Sequence, residues 1–469
     1  MRTALNKPAD PLSQIYADLE PLRHTSGHQL ADRMVADIFA NAHLIASQVI
    51  QQDPLRNPRR RSRLDQLTAS RLFGYPLMLL LLVGIFWLTI SGSNLPSEML
   101  SRFFFRFQDI LSQWFQAGGA PLWLHGILVL GIYRTSAWVI SVMLPPMAIF
   151  FPLFTLLEDL GYLPRIAFNL DSLFKKANAC GKQCLTMCMG FGCNAAGVVS
   201  SRIIDSPRER LIAILTNNFV PCNGRFPTLI AITAIFTAGS AAFAWRHLLT
   251  AAAIALVICL GIAFTFAVSW GLSRTLLKGE PSSLVLELPP YRLPKFGAVL
   301  YRSLIDRTFF VLRRAVVVAA PAGAVIWALS NIYLGELNLI AHGAAFLEPL
   351  ARLIGLDGFI LMAFILGLPA NEIVIPILLM SYLSTGSMLE IDSLAELGTI
   401  LFAHGWTWLT AVNVLLFSLL HWPCSTALLS AYKETGSKKW TLLAFAIPTF
   451  IAFSVCFFVT QAARLLGWA

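Results

Sequence analysis

Two short clusters of backbone-loosening residues sit inside apolar sequence, and they limit what this chain can become. One is Gly190-Phe191-Gly192-Cys193-Asn194; the other is Pro221-Cys222-Asn223-Gly224-Arg225. In a bilayer a helix satisfies its own backbone, so Gly and Pro clusters at membrane depth mark places where helices break. Broken helices present carbonyls and helix ends, which transporters use to bind ions near the midplane. The pattern points to a metal-ion permease with its site at these breaks.

Composition supports the membrane setting. Of 469 residues, 57% are hydrophobic and only 13% charged, about half the ~25% charged residues of a soluble domain. Twelve Trp, nine Tyr and 33 Phe supply interfacial belts and packing surface. The net charge of +10 is spread between apolar spans rather than gathered in one patch. It therefore reads as a topology signal with some attraction to anionic lipid, and no nucleic-acid partner is expected. Eight cysteines at irregular positions, most in apolar segments, do not form an extracellular disulfide framework, which leaves metal ligation or plain packing. The polar opening MRTALNKPADPLSQIYADLE lacks the apolar core of a cleavable signal.

Taken in order, residues 1–70 read as a cytoplasmic segment with an amphipathic helix over Ala31–Ile50. Arg56, Arg59, Arg60, Arg61 and Arg63 precede the first span and place the N-terminus in the cytoplasm by the positive-inside rule. Phe73–Ser91 is uncharged and long enough to cross. Residues 97–117 look amphipathic, as a surface or connecting segment. The run Pro121–Leu157, interrupted by Arg134 and Pro145-Pro146, is expected to form two segments with a break.

Further apolar stretches cover Gln183–Ser201, Leu211–Ala244, Leu248–Leu272, Ala315–Gly335, Phe359–Met388, Leu397–Tyr432 and Trp440–Ala463. The expected fold is an all-α polytopic membrane protein with about eight to ten hydrophobic segments, some broken or re-entrant. The expected division is a first transmembrane repeat over 71–272, a basic cytoplasmic connector over 273–314 and a second repeat over 315–469. The repeat is suggested by paired strings: Gly190–Asn194 echoes Gly367-Leu368-Pro369-Ala370-Asn371, and Val220-Pro221-Cys222 echoes Trp422-Pro423-Cys424. Two pseudo-symmetric, inverted repeats with interrupted segments at matching places would point to a transporter site.

With these residues in view, the chain resembles the membrane domain of the ferrous iron transport protein B family. The resemblance runs from Leu157-Glu158-Asp159-Leu160-Gly161-Tyr162 to Arg165, through the Gly-Phe-Gly-Cys-Asn motif and Arg208-Glu209-Arg210-Leu211, to Pro221-Cys222 and Pro227. In the second half it takes in Leu312-Arg313-Arg314-Ala315, Glu372, Pro423-Cys424 and Glu434-Thr435-Gly436-Ser437. It covers roughly residues 70–465. The family has Val-Pro-Ala after the Cys-Asn, where Ala195-Ala196-Gly197 stands here, so the kink relies on Gly. A Lys often precedes the buried Glu in the family, whereas here Asn371 precedes Glu372, leaving the carboxylate freer to take a proton or a metal.

That family normally begins with a cytosolic GTPase domain. No phosphate loop occurs in this sequence: Gly181-Lys182 lacks the leading Gly and is followed by Gln183. The resemblance therefore implies either a separate cytosolic GTPase partner or transport without GTP. A small Feo-type accessory protein is a further candidate partner, membrane lipid is the surroundings, and a homo-oligomer is compatible.

Fe(II) accepts thiolate, imidazole and carboxylate ligands. Cys193, Cys222 and Cys424 each sit at a proposed break and are expected to converge, with amide oxygens from Asn194 and Asn371 and the carboxylate of Glu372. Gly190, Gly192, Pro221, Gly224 and Pro423 supply the breaks. Arg225 is expected to be structural, paired to a carboxylate or to exposed carbonyls, since a lone Arg at that depth is costly. Glu158 and Asp159 with Arg165 read as a gate latch or a helix-end ion pair. His421, one turn from Cys424, is a candidate secondary ligand. Cys180, Cys184 and Cys188 form one helical stripe and are read as packing, with an entry path for metal as the alternative. No catalytic residue or permanent cofactor is expected; Fe(II) is cargo, and the location is the bacterial inner membrane. The competing readings are a nucleoside or small-solute carrier of similar architecture, and a non-transporting regulatory subunit.

Overall fold

The structure, a computed structural model, describes residues 33–48, 68, 70–238, 243–279, 294–388 and 393–467. The arginine run at 56–63 and Arg292 of the basic connector lie outside these. Nearly all of the described chain is helical. A helix over 33–48 (α1) falls within the stretch whose apolar spacing called for one.

The first half continues with Arg71–Ala117 (α2), Leu122–Asp159 (α3), Tyr162–Lys176 (α4), Gln183–Gly192 (α5), Asn194–Ser200 (α6), Pro207–Thr216 (α7), Phe226–Ala238 (α8) and Phe243–Arg274 (α9). Then follow Phe296–Asn331 (α10), a two-stranded hairpin of Tyr333–Leu334 (β1) and Leu337–Asn338 (β2), Leu339–Leu353 (α11) and Gly358–Leu366 (α12). The remainder is Val374–Leu383 (α13), Leu394–Ala403 (α14), Trp408–Leu420 (α15), Ser425–Thr435 (α16) and Lys438–Leu465 (α17).

Among the described residues six helices are long and apolar enough to cross a membrane, and a seventh span arises if α11 and α12, bent by 110°, are taken together. Three shorter apolar helices, Phe226–Thr237, Asn371–Leu383 and Leu394–Ala403, complete the set. The architecture is that of an all-α polytopic membrane protein.

Three boundaries differ from expectation. The amphipathic stretch 97–117 is no separate segment: it continues α2, a single helix of 47 residues with Pro76 and Pro96 inside it. At ~1.5 Å per residue such a helix far exceeds the ~30 Å hydrocarbon core. Likewise Pro121–Leu157 does not form two segments. Pro145 and Pro146 are absorbed within α3, and the irregularity sits earlier, where Gly126–Tyr133 widens to a π-helix. Pro is tolerated in such helices because neighbouring groups satisfy the freed carbonyls. Finally, the helix expected over Ala315–Gly335 begins at Phe296, so the later part of the basic connector is helical.

Local sequence explains the stops. Gly161, between α3 and α4, adopts φ +79, which a residue with a Cβ disfavours. Ser206 accepts the Glu209 amide at the start of α7, with Pro207 as the first helical residue. Asp357 accepts the Ile360 amide at 2.6 Å and so starts α12 just after the sharp bend.

Helices α3 and α10 cross in close contact. A Cβ on Gly323 would lie 2.4 Å from the Gly131 carbonyl oxygen, and one on Gly131 would lie 3.0 Å from the Gly323 carbonyl oxygen. Small residues let membrane helices approach closely where dispersion, not hydrophobicity, drives association. We predict that Gly323→Leu lowers the melting temperature in detergent by several degrees, on the scale of the ~1–3 kcal/mol cost of overpacking. Gly271→Ala, at a position with open space around it, should leave melting unchanged; equal melting of all three proteins would contradict this crossing.

Candidate ion site at the paired breaks

Both Gly-containing clusters break their helices as the sequence requires. Between α5 and α6, Cys193 is extended at φ −156 and ψ 124; between α12 and α13, Ala370 is extended at φ −154 and ψ 123. These are matching positions of the two echoing strings, held in the same backbone conformation. The Pro-Cys segments dock against them. The Asn223 amide donates to the Gly192 carbonyl at 3.4 Å, and the Ser425 amide donates to the Leu368 carbonyl at 2.8 Å.

Glycine is required at these contacts by space. A Cβ on Gly192 would come within 2.3 Å of the Phe150 ring, and one on Gly190 within 2.8 Å of Asn217 Oδ1. A Cβ on Gly197 would lie 2.5 Å from the same Asn217 oxygen. Asn217 Nδ2 in turn donates to the Asn194 carbonyl at 3.0 Å. Asn194 itself, with its amide nitrogen facing the available acceptors, donates to the Val220 and Gly190 carbonyls at 3.2 and 3.3 Å. One carboxamide pair thus ties the first break to the segment leading into Pro221.

Arg225 joins the two halves. Its side chain is 1% exposed. Nη1 donates to the carbonyls of Asn218 (2.8 Å) and Leu419 (2.7 Å); Nη2 donates to Asn218 Oδ1 (2.9 Å) and to the carbonyls of His421 and Trp422 (both 3.2 Å). Asn218 Nδ2 adds a bond to the His421 carbonyl at 2.6 Å. The carbonyls that Pro423 and the end of α15 leave without helical partners are therefore taken by a guanidinium from the other half. Its planar fork of donors suits this, where a point ammonium would not.

Cys193, Asn194, Cys222 and Gly224 from the first half and Asn371, Glu372 and Cys424 from the second all line one cavity of about 30 Å³. Glu372 is buried at 8% exposure and rests on Gly224, where a Cβ would be 2.9 Å from the carboxylate carbon. No salt bridge to Glu372 occurs among the described residues. Asn371 Nδ2 faces Cys222 Sγ at 3.9 Å, while its Oδ1 is buried without a hydrogen-bond partner. No group of three or more His, Cys, Asp or Glu among the described residues is arranged to hold a metal ion. The lining is a set of separated soft and hard donors rather than a closed cage.

Other sequence candidates lie elsewhere. Glu158 pairs with Arg307 of α10 at 2.8 Å, and Arg165 donates to the Gly161 carbonyl. Asp159 closes α3. His421 is absent from the cavity lining: its Nδ1 lies 3.0 and 2.9 Å from the Phe417 and Ser418 carbonyls, and its ring stacks on Phe417. Pro221 and Pro423 flank the cavity through their neighbouring cysteines. Cys184 and Cys188 face a different, apolar groove. Met143, Met147 and Thr426 of the lining and the Asn217-Asn218 pair went unnoticed in the sequence, and Asn223 was noted only as part of the Pro-Cys cluster. Two adjacent amides just before a Pro-Cys inside apolar sequence were the available signal. Outside the spans, Asp205 meets Lys182 at 2.5 Å, and the ammonium holds the carboxyl below its ordinary range.

Comparison with known proteins bears on what this site belongs to. Residues 140–236 and 312–438 match the Gate family, described as nucleoside recognition, and residues 254–306 match the ferrous iron transport protein B C terminus. The Fe(2+) transporter FeoB of Synechocystis is 30% identical over 453 residues, which cover 94% of this chain and 69% of that protein. The chain belongs to the FeoB family. Within that family, the Fe(2+) transporters FeoB of Staphylococcus aureus strain COL and Methanocaldococcus jannaschii are each 29% identical, with 86% of this chain and 59% of the relative aligned. The chain thus spans about three-fifths to two-thirds of the length of these FeoB relatives. No solved structure matches it.

The FeoB-type core described here makes Arg225 testable. Arg225→Ala should strand several carbonyls and cost at least ~3 kcal/mol, given ~1.5–3 kcal/mol per hydrogen bond to a charged group. Arg225→Lys should recover only part of that loss. Melting of the purified chain in detergent checks the order; an Ala variant as stable as the parent would contradict the clamp.

Proposed function

We propose that the chain is a permease for ferrous iron, in which the ion passes the cavity between the two breaks. The observation that carries this reading is the convergence of Cys193, Cys222, Cys424 and Glu372, from both halves, on one space of ionic size. The FeoB relatives are named Fe(2+) transporters, and borderline Fe(II) accepts both thiolate and carboxylate oxygen. Asn194 and Asn371 would add amide oxygens, and the thioethers of Met143 and Met147 would add soft donors at the wall.

The cavity also weighs against an organic substrate. About 30 Å³ is an order of magnitude below the ~300–1,000 Å³ of pockets that take drug-sized molecules, so a nucleoside does not fit, despite the description of the matching Gate family. Matching backbone at Cys193 and Ala370 supports reading the halves as repeats related by pseudo-symmetry, with residues 71–272 and 315–469 as the two units. The basic run before α2 supports a cytoplasmic N-terminus in the inner membrane. GTP-driven transport would draw on a GTPase outside residues 1–469.

Thiolate ligation releases protons, so uptake should rise with pH. The test is Fe(II) entry into proteoliposomes holding this chain alone. Cys193→Ser, Cys222→Ser and Glu372→Gln should each reduce the initial rate by about tenfold or more, the effect of removing ~1.4 kcal/mol of interaction. Rates equal to the parent's in all three would refute a path through this cavity. Absence of entry in every sample, restored by a cytosolic GTPase, would place the energy source in a partner; absence without restoration would favour a regulatory role.

A further inference from the structure

A second cavity lies on the far side of the first break. It is an apolar groove of about 220 Å³ between α2, α3, α4, α5 and α9. Ile85, Phe150, Phe174, Cys188, Phe191 and Ile262 are among its walls, and no charged or amide side chain lines it. Water would find few hydrogen-bond partners there, and apolar cavities of this kind stay dry and accept apolar guests.

The phase at its mouth is set by the flanking helices. The crossing windows of α2 and α9 are only 12% and 11% buried within the protein and are apolar, surfaces that suit hydrocarbon. The chemistry changes at one end. Leu173 and Phe174 line the groove, and the next two residues are Lys175 and Lys176 at the C-terminus of α4. Lys175 is paired with Asp171 at 3.1 Å, while Lys176 is exposed. Lys176 follows these wall residues within one turn of the same helix, and an apolar slot with an exposed ammonium one turn along its wall is complementary to a lipid with a negative headgroup.

We propose that this groove binds one acyl chain of an anionic phospholipid, with the headgroup phosphate at Lys176. The chain would lie against Phe150 and Phe191. Phe150 is the ring that a Cβ on Gly192 would strike at 2.3 Å, so the lipid backs the wall on which the first break rests. Cys184 and Cys188 are then thiols of a lipid slot rather than of the ion path. This assignment is independent of which ion the neighbouring cavity carries.

The experiment uses the full chain in nanodiscs doped with phosphatidylglycerol carrying a diazirine on its acyl chain. After irradiation and proteolysis, adducts should concentrate on peptides covering 183–191 and 150–154. Leu170→Trp, which fills the groove, should remove those adducts while labelling of outer lipid-facing positions persists; Met78→Trp serves the same purpose should the first variant misfold. Lys176→Glu should abolish the excess of labelling by the phosphatidylglycerol probe over the same probe built on phosphatidylcholine. Adducts spread evenly along the outer faces of α2 and α9, or unchanged in a folded, filled variant, would overturn the assignment.

Discussion

The arrangement depends on one buried cation with no carboxylate among its recorded acceptors. The two terminal nitrogens of Arg225 donate to backbone and amide oxygens of four residues, and three of these belong to the other half of the chain. A helix that breaks inside a membrane leaves carbonyls that cost several kcal/mol each if unmet, by order of magnitude. The Pro423 break is possible because Arg225 meets that demand, and Arg225 is tolerated at depth because those carbonyls receive it. Each feature removes the cost of the other. The clamp also fixes the distance between the halves, and so the width of the cavity between them.

Close approach follows from the small residues around it. Gly192 admits Phe150, Gly224 admits Glu372, and Gly190 with Gly197 admits Asn217. Gly197 leaves room for the Asn217 carboxamide that caps the Asn194 carbonyl. Glu372 gains from the same economy. With Arg225 committed to carbonyls and Asn371 as its neighbour, the carboxylate sits in the cavity without a salt bridge among the described residues.

Much of this was legible in the residues. Gly-Phe-Gly-Cys-Asn and Pro-Cys-Asn-Gly-Arg announced broken helices, because Gly and Pro act on the backbone locally. That Arg225 needs a buried partner followed from its place in apolar sequence; that carbonyls rather than a carboxylate supply it did not. What stayed hidden depends on packing at long range. The absorption of Pro145 and Pro146 into one helix depends on neighbours that sequence spacing does not reveal, and so does the run of α2 through residues 97–117. Met143, Met147 and Thr426 reach the cavity only once α3, α10 and α16 are assembled. His421 looked like a ligand by its distance from Cys424 along the chain, yet its ring stacks on Phe417 and its carbonyl serves Arg225.

The central claim is that thiols and a carboxylate from two breaks meet the same ion. X-ray absorption at the iron edge of the Fe(II)-loaded chain tests it most directly. The account predicts a first shell mixing sulfur with oxygen or nitrogen, with sulfur lost stepwise in Cys193→Ser and Cys222→Ser and lighter scatterers altered in Glu372→Gln. A shell of oxygen and nitrogen alone, identical in the parent and all three variants, would contradict it.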